Sequence, residues 1–417
     1  MSLTAAGRVL RLEEVADRPL LADLAGAPDP RASYDALRSR WGVLAPVDLE
    51  PGVPAWLALG YDAVTQVLRN EALFSRDSRH WRYESERLVP FRGPTRAVLA
   101  QRDGVHDRDG SEHRRLHGPV ADALEAVEER RVARTLAVAC SAVLDRLATR
   151  GSADLVAEYA VDVPVRVLAD LLGMTLGDAR RMHELTVDLR SGTDAAYPAV
   201  ARIEDLLAEF VAGRRAEPSD DLTSVLLAHP GHDNDLEVMS AVAVLFQTAH
   251  DAEVSWIANT LQRLLGDPAF AGRLHGGRIS LDDALDEVAR ETPPLPHLLP
   301  RYALADGELG GQPVAAGDAV VPAVAAANAD RSVRSADPWE QVDSRFHLTW
   351  GTGAHACPAH RTAPLITRTV VGHFLARVAD IELATAPEDI APVRSAWTRY
   401  PRELPVRFVR SAARPAS

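Results

Sequence analysis

Residues 350–360 read Trp350-Gly351-Thr352-Gly353-Ala354-His355-Ala356-Cys357-Pro358-Ala359-His360 and place one thiol in a loop hinged by two glycines. The glycines allow the backbone to turn and to approach a bulky planar partner closely. The apolar residues that follow are spaced like one face of a helix, and they are Leu365, Val370, Val371, Phe374 and Leu375. Because the first amides of such a helix point toward the sulfur, they favour the thiolate form. The stretch therefore predicts that Cys357 ligates a polarizable metal such as iron.

Two other interpretations of this loop use the same residues. A zinc site would draw on His355, Cys357 and His360, but the second cysteine, Cys140, lies far off in the sequence and no Cys-x-x-Cys pair exists. The spacing makes zinc the weaker interpretation. A buried structural cysteine would be the simplest interpretation if the loop stood alone.

The loop does not stand alone, because it resembles the haem-binding signature of the cytochrome P-450 family, Phe-x-x-Gly-x-His/Arg-x-Cys-x-Gly. Trp350 replaces the usual Phe and Ala359 the usual Gly, and both changes keep the character of the position. The resemblance implies that Cys357 is the proximal thiolate ligand of haem b. It also implies that Trp350, Gly351, His355 and Ala359 surround the cofactor.

The composition limits the class of protein. The chain has 417 residues, 47% of them hydrophobic, and a net charge of -13 with no basic run, which argues against a nucleic-acid partner. Two cysteines cannot form a disulfide scaffold. Glu13, Glu14 and Asp17 interrupt the first apolar stretch, and no uncharged run approaches the roughly 18 residues that span a bilayer. We expect a soluble, cytoplasmic protein with no membrane contact, and the resemblance implies a single, mainly helical domain over residues 1–417 with a small β region.

The N-terminal quarter has the element order of the bacterial members of this family. Asp29-Pro30 predicts a helix start, strands are predicted at residues 43–48 and 56–60, and a helix follows around residues 64–68. Residues 76–110 show no sustained period and predict a long loop. In the family this region roofs the substrate pocket, which makes Trp81, Tyr83 and Phe91 candidate substrate contacts; the alternative is that they pin the loop to the core.

The segment after this loop resembles the family's His-x-x-x-Arg helix, whose side chains hold a haem propionate. His113 and His117 are four residues apart and share a helix face, so both can reach one anion. Because the second donor is histidine, which is charged only part of the time near neutral pH, the grip should be weaker or pH-sensitive. The alternative is a pair of solvated histidines. Arg301 stands where the family places another propionate-binding arginine.

Several further helices follow from the apolar spacing. A stripe through residues 132, 136, 140, 143 and 147 places Cys140 in the core as a small hydrophobe. Helical patterns recur at residues 165–172, 176–189 and 200–213, and the resemblance makes the last two the mobile lid of the pocket.

Residues 235–265 read as one long helix that carries polar side chains in its middle, at residues 248–253. This segment resembles the family's oxygen-binding sequence, Ala/Gly-Gly-x-Asp/Glu-Thr-Thr. Asp251 then takes the acid position, and Ala252 stands where the family has an alcohol that helps to deliver protons. Thr248, one turn earlier, is a candidate to anchor a water molecule in its place, and Glu253 is a weaker candidate because it lies about 100° round the helix. The substrate hydroxyl is a third possibility. Val244 and Gln247 are candidate substrate contacts.

The C-terminal third supplies structural and pocket residues. Glu287 and Arg290 match the family's Glu-x-x-Arg ion pair, and its further partner would align near Glu340-Gln341. Prolines 293, 294 and 296 end that helix, after which His297, Leu298 and Leu299 would line the pocket. A closing hairpin at residues 397–406 would bring Trp397 to the substrate. Pro364 should kink or delay the helix after the cysteine.

The resemblance implies a haem-thiolate monooxygenase that hydroxylates or epoxidises a small organic molecule with O₂, and that tailors a specialised metabolite. Its electrons would come from a separate ferredoxin and ferredoxin reductase, because the sequence has no flavin or iron–sulfur segment. A basic patch of Arg114, Arg115, Arg361 and Arg368 could receive that acidic carrier. Two alternatives stay open: oxidative radical coupling of aromatic rings, for instance on a peptide, and a helper protein derived from the family without catalysis.

Overall fold

The computed structural model describes residues 11–408 except 91, 103, 334–345 and 379–380. Its helices are α1 (Leu21–Ala25), α2 (Pro30–Trp41), α3 (Tyr61–Arg69), α4 (Arg82–Ser85), α5 (Pro94–Leu99), α6 (Gly110–Glu125), α7 (Glu129–Arg150), α8 (Asp162–Leu172), α9 (Leu176–Arg190), α10 (Ala196–Ala216), α11 (Leu222–Ala228), α12 (Asp235–Gly266), α13 (Pro268–His275), α14 (Leu281–Glu291), α15 (Val324–Asn328) and α16 (Thr362–Arg377). Its strands are β1 (Leu44–Glu50), β2 (Val53–Ala58), β3 (Phe74–Ser75), β4 (Ser152–Asp154), β5 (Arg301–Ala303), β6 (Gly307–Leu309), β7 (Gln312–Val314), β8 (Ala319–Pro322), β9 (Ile381–Leu383) and β10 (Pro405–Phe408).

The strands form one larger and two smaller sheets. The larger sheet has the order β1-β2-β8-β5-β3, in which β2 and β8 run parallel and the other neighbours antiparallel. A three-stranded sheet has the order β4-β10-β9, and β6 and β7 form a hairpin. The mainly helical fold with a small β region is thus the predicted one.

The largest hydrophobic core lies among the helices and is shared by α7, α8, α9, α10, α12 and α16. Cys140 is fully buried in this core, as predicted. A second core covers the larger sheet. Helix α12 contacts α8, α9, α10, α14 and α16, so it runs through the centre of the molecule. Its first turn is capped by Asn234, whose side chain accepts a hydrogen bond from the Glu237 backbone N–H at 3.1 Å.

Local sequence signals located several element boundaries well. Asp29 caps α2 by accepting a hydrogen bond from the Ala32 backbone N–H at 3.0 Å, and the long helix ends one residue beyond its predicted end. The expected kink at Pro364 is wrong. Because α16 begins at Thr362, the proline falls in the first turn, where a backbone N–H has no acceptor within the helix.

Residues 76–110 are more regular than predicted, since α4, α5 and two 3-10 turns (Ser78–His80 and Val105–Asp107) lie within them. Trp81 is only 1% exposed and its ring stacks on Tyr302 with centroids 5.7 Å apart. Tyr83 is buried in the same second core. The prediction that Trp81 and Tyr83 contact substrate is therefore wrong, and they pin this segment to the sheet. Phe91 lies outside the described residues.

No helix in the described part of the chain combines the length and the apolar character needed to cross a bilayer.

Candidate active site

The cysteine loop, residues 350–360, is closed by its own backbone. The Cys357 N–H donates to the Trp350 carbonyl at 2.9 Å, and the Ala356 N–H donates to the Gly353 carbonyl at 3.1 Å. Gly351 and Gly353 have φ angles of 66° and 80°, which glycine adopts at no steric cost. The Cys357 side chain is left accessible at the surface of this loop.

The loop is packed between α3 and α12. A Cβ atom at Gly353 would lie 2.5 Å from the Leu68 carbonyl oxygen, so the close approach that requires glycine is to the end of α3. The Arg69 Nε also donates to the Thr352 hydroxyl at 2.8 Å. On the other side, the Trp350 ring meets the edge of Trp256 in α12, with centroids 5.6 Å apart.

The electrostatics of the thiol differ from the prediction. Although the Cys357 side chain is accessible, the protein atoms packed around the sulfur partly desolvate it and raise its pKa, and a hydrogen bond from the Ala359 backbone N–H opposes the rise. The Glu253 carboxylate raises it further. The expected lowering by helix amides is thus outweighed. A bound metal cation is what would hold the sulfur as thiolate, because a coordinating thiol loses its proton.

A group of basic side chains lies beside the cysteine loop. The His113 and His117 rings are 5.2 Å apart on α6, and His355 stacks on His113 at 3.8 Å. Burial is the main cause that lowers the pKa of both His113 and His355, and the nearby Arg301 guanidinium, on β5, lowers both further. Two predicted propionate ligands and the histidine of the loop therefore come together with Arg301. We call these four residues the basic cluster.

The basic cluster contains unsatisfied polar atoms. His113 Nδ1 and His117 Nε2 are buried without a hydrogen-bond partner within the described chain. Arg301 is 6% exposed, and no carboxylate of the described residues lies within ion-pair distance of it. Burial lowers the pKa of Arg301, since an uncompensated cation is costly in the interior. A ligand with acidic groups would satisfy all three residues.

The histidines of the basic cluster are held neutral. Burial, followed by the His117 charge, lowers the pKa of His113 to about 4, and burial lowers the pKa of His117. His355 is partly anchored by Asp109, which lies 3.3 Å from its Nε2 atom. At neutral pH, Arg301 is accordingly the one full positive charge of the cluster.

Helix α12 has one accessible face. Val244, Gln247, Thr248, Asp251 and Ala252 are half-buried, whereas most residues on the other sides of this part of the helix are buried. Residues three or four apart share a helix face, so these five form a continuous strip. We call them the accessible face of α12. All five were predicted as catalytic or substrate-contacting residues.

The acid on the accessible face is engaged from another helix. Arg190, the last residue of α9, donates a hydrogen bond to Asp251 Oδ2. Burial would raise the pKa of Asp251, but Arg190, His250 and His183 together hold it below its usual value. Asp251 is therefore an anion that can accept a proton and pass it on. Ala252 beside it offers only a methyl group.

Glu253 points elsewhere. It is 3% exposed, and the Thr367 hydroxyl of α16 donates to its carboxylate at 2.6 Å. Burial raises the pKa of Glu253 to about 8, with the Thr367 hydrogen bond opposing. Glu253 is thus a buried acid between α12 and α16, on a different side of the helix from the accessible face.

The remaining predicted pocket residues divide into two groups. Leu298 lies against the cysteine loop, since its Cδ1 atom would be 4.0 Å from a Cβ atom at Gly351. Leu299 is half-buried against the second core. His297 is fully buried and both ring nitrogens have partners, the Tyr34 hydroxyl and the Ala396 carbonyl, so its predicted place in the pocket lining is wrong. Trp397 is 9% exposed and packs in the second core at the tip of a turn closed by the bridge Pro392–Pro401.

Comparison with known proteins places the chain. No family model matches it. Cytochrome P-450 107B1 from Saccharopolyspora erythraea is 29% identical over 368 residues, which cover 85% of this chain and 90% of that protein. Nocardicin C N-oxygenase from Nocardia uniformis subsp. tsuyamanensis is 30% identical over 396 residues, which cover 92% of this chain and 96% of that protein. The chain belongs to the cytochrome P-450 family.

The fold of this P-450 agrees with that assignment. The structure of CYP154C4 from a Streptomyces species superposes with a TM-score of 0.86 at 25% identity, covering 94% of this chain and 99% of that one. The protein is accordingly an oxidoreductase of the monooxygenase class whose cofactor is haem. The unsatisfied atoms of the basic cluster and the accessible thiol fit that cofactor, because haem carries an iron atom and two carboxylates. Cys357 would ligate the iron, and Arg301 with His113 and His117 would hold the carboxylates.

The Glu-x-x-Arg pair of this P-450 is arranged differently from the prediction. Glu287 accepts hydrogen bonds at 2.6 Å from both Arg263 in α12 and Arg273 in α13. The predicted Glu287–Arg290 ion pair is wrong, because Glu287 is turned toward those two helices. The Arg290 carbonyl accepts from Asn328 at 3.2 Å. The expected further partners, Glu340 and Gln341, lie outside the described residues.

The predicted basic patch is largely neutralised. Arg115 pairs with Glu237 at 2.8 Å, Arg361 with Glu129 at 3.3 Å and Arg368 with Asp282 at 3.5 Å. Arg114 is exposed. Three of the four arginines of the predicted patch therefore have carboxylate partners.

Three residues near the acid were missed by the sequence analysis as site residues. Arg190 is 61 positions from Asp251, and no local pattern announces so distant a pair. His183 and His250 come from different helices and meet with ring centroids 4.6 Å apart. The available signal was His250 itself, one of the polar residues at positions 248–253 in the middle of α12.

Proposed function

We propose that this P-450 binds haem b as a single unit over residues 1–417 and inserts one atom of O₂ into a small organic molecule by hydroxylation or epoxidation. One observation carries the proposal. The accessible face of α12 and the loop of Cys357 belong to elements that touch each other through Trp256 and Trp350. A haem ligated by Cys357 would thus be held next to the helix that carries the predicted oxygen-side residues.

The residues of the chain have separate tasks in this reaction. Bound haem supplies oxygen activation. Cys357 holds the iron, and Arg301, His113 and His117 hold the carboxylates. Asp251, kept anionic by Arg190, accepts and releases protons.

Proton delivery needs a group other than residue 252. Ala252 has no hydroxyl, so a water molecule between Thr248 and Asp251, or a hydroxyl of the substrate, takes over the last transfer. Thr248 lies one turn before Ala252 on the accessible face, which allows the water route. We favour the substrate hydroxyl slightly, because it requires no further protein group.

The substrate is proposed to be a specialised metabolite. Similar proteins include 2-hydroxy-5-methyl-1-naphthoate 7-hydroxylase from Streptomyces carzinostaticus, 26% identical over 390 residues. Val244 and Gln247 on the accessible face, with Leu298 beside the cysteine loop, would contact such a molecule. Leu299 and Trp397 would support the residues that contact the substrate, because both pack in the second core.

Electrons are proposed to reach the haem from a ferredoxin and its reductase in the cytoplasm. The docking surface would be the side of the molecule formed by α6 and α16, where Arg114, Arg361 and Arg368 lie. Since two of these three arginines already have carboxylate partners, the attraction should be modest and salt-sensitive.

The experiment is a substrate screen followed by product analysis. Candidate metabolites are added to the purified holoenzyme, and binders are recognised by a spin-state shift of the haem. Turnover under isotopically labelled O₂ should then give a product that contains one labelled oxygen atom. A product that has lost two hydrogen atoms without gaining oxygen would contradict monooxygenation and support radical coupling. The absence of any turnover with every binder would favour the helper alternative.

A further inference from the structure

His250 occupies an unusual place in the core. It lies on α12 beside Asp251 and is 1% exposed, yet neither ring nitrogen has a hydrogen-bond partner among the described residues. A neutral imidazole carries one donor and one acceptor, and buried polar atoms are nearly always satisfied. An apolar side chain at this position would avoid the desolvation cost of two unpaired ring nitrogens. The position therefore calls for an explanation other than packing.

The surroundings of His250 contain a short line of titratable groups. The His183 ring, from α9, has its centroid 4.6 Å from that of His250, and the Phe246 ring stacks on His250 with centroids 5.8 Å apart. His250 Nδ1 lies 3.7 Å from Asp251 Oδ1, too far for a hydrogen bond but within reach of a small adjustment. His250 thus stands between a second histidine and the acid of the accessible face.

His183 connects this line to solvent. It borders a surface cavity of about 430 Å³ between α8, α9 and the C-terminal turn, together with Arg180, Tyr400 and Arg402. Its Nδ1 atom is buried without a partner within the described chain, while the ring as a whole is half-buried. One edge of His183 therefore faces the interior, and the residue also contacts a space large enough for several water molecules.

Arg190 and Tyr400 also face this line, and the cavity at its outer end is lined by Asp162, Arg180, Glu184 and Arg402. Burial would raise the pKa of Asp251, but Arg190, from α9, helps to hold it below its usual value. Tyr400, from the C-terminal turn, has its pKa raised by burial to about 12, with Asp251 adding to the rise. Burial, followed by the His250 charge, lowers the pKa of His183 to about 4, which leaves its ring neutral and free to accept a proton briefly. Histidine is the residue type suited to this task.

We propose that His183 and His250 form a path of two imidazoles that carries protons from the surface cavity to Asp251. The idea rests on the proposed function, in which O₂, two electrons and two protons yield one oxygen atom in the product and one water molecule. Each of the two protons enters at His183, passes to His250 and then to the Asp251 carboxylate. An imidazole accepts a proton at one nitrogen and releases one from the other, so the rings transmit protons without leaving the core. His183 and His250 are positioning residues that act through Asp251.

The direct test needs no turnover. Histidine ring N–H signals of the nitrogen-labelled holoenzyme are followed by NMR while their exchange with water is measured. In the wild type, the His250 ring proton should exchange readily despite its burial. In His183→Phe, which keeps a ring but removes both nitrogens, this exchange should slow by at least about tenfold. His275→Gln removes an exposed histidine at the end of α13 and is the matched control. Equal exchange at His250 in His183→Phe and His275→Gln would overturn the proposal.

A second test uses stability. If His250 is kept for proton transfer, then His250→Phe removes two unsatisfied atoms and should raise the melting temperature, while product formed per electron pair falls and the solvent isotope effect on turnover rises. A packing role predicts a lower melting temperature with unchanged coupling, and that result would overturn the path. The two claims fail separately. If the product contains oxygen but His183→Phe leaves the His250 exchange rate unchanged, only the proton path is contradicted. If the wild type gives a dehydrogenated product, monooxygenation is contradicted, and the exchange measurement still tests the path.

Discussion

The cysteine loop and the accessible face of α12, which we propose to contact the same cofactor, are built in different ways. The loop is closed by hydrogen bonds between residues seven or fewer positions apart, and its glycines have the φ angles that such a turn requires. The face of α12 depends on partners from distant parts of the chain, such as Arg190 for Asp251. The shape of the cysteine loop is thus set mainly by its own backbone, whereas the environment of Asp251 is set by the assembled fold.

The largest effect is expected at Gly353, in the cysteine loop. Gly353→Ala combines a positive φ with a Cβ atom 2.5 Å from the Leu68 carbonyl, and should cost about 3 kcal/mol and most of the bound haem. Gly351→Ala is the matched control. Its φ is also positive, but its nearest neighbour would be 3.8 Å away, so about 1 kcal/mol is expected. Urea unfolding and haem content per chain measure both. Equal losses in the two variants would show that α3 does not support the loop.

The next largest effect, on the pH dependence of stability, is expected at Glu253, which lies between α12 and α16. Its pKa is raised by burial to about 8 in the folded protein, so the folded state binds the extra proton between the unfolded value near 4.5 and about 8. Stability from this group is complete below the unfolded pKa and is lost as pH rises toward 8, by up to about 1.4 kcal/mol per pH unit. Glu253→Gln, which stays neutral, should flatten that decline and be the more stable protein at pH 8. Parallel curves of unfolding free energy against pH for the two proteins would contradict a buried neutral acid.

The third prediction concerns Ala252, on the accessible face of α12. If another group completes proton delivery, peroxide released per electron pair should be low with the true substrate bound and should change by less than about twofold in Ala252→Thr. Removing the hydroxyl of the substrate should raise it. Ala252→Val has the shape of the threonine variant without its hydroxyl and separates size from chemistry. High leakage in the natural protein that Ala252→Thr abolishes would mean that residue 252 is simply deficient.

The smallest effect is expected at His117. Burial keeps the pKa of this histidine low, so His117→Arg should add a permanent charge to the basic cluster and slow haem loss by about fivefold, or roughly 1 kcal/mol. The gain should be largest above neutral pH. His117→Gln, of similar length to histidine and uncharged, is the control. Haem transfer to an acceptor protein measures the rates, and identical rates for all three proteins would remove His117 from the cofactor site.

The sequence predicted what short spacings encode. The cysteine loop, the pairing of His113 with His117 and the limits of α12 follow from residues a few positions apart, whereas the fold class came from the resemblance to a known family. Three errors share one cause, which is that burial and pairing are decided over long distances. Trp81 was predicted to line the pocket but stacks on Tyr302, and Glu287 binds Arg263 and Arg273. Desolvation of the Cys357 sulfur raises its pKa instead of lowering it.

We propose that Cys357 holds the haem iron as a thiolate, and the absorption spectrum of the reduced, CO-bound protein reports whether the iron has a thiolate ligand. The wild type should show the red-shifted absorption band of a thiolate-ligated haem. Cys140→Ala, which changes the buried cysteine of α7, should keep that band, and Cys357→Ala should lose it while remaining folded. A Cys357→Ala protein that retained the red-shifted band would contradict the account.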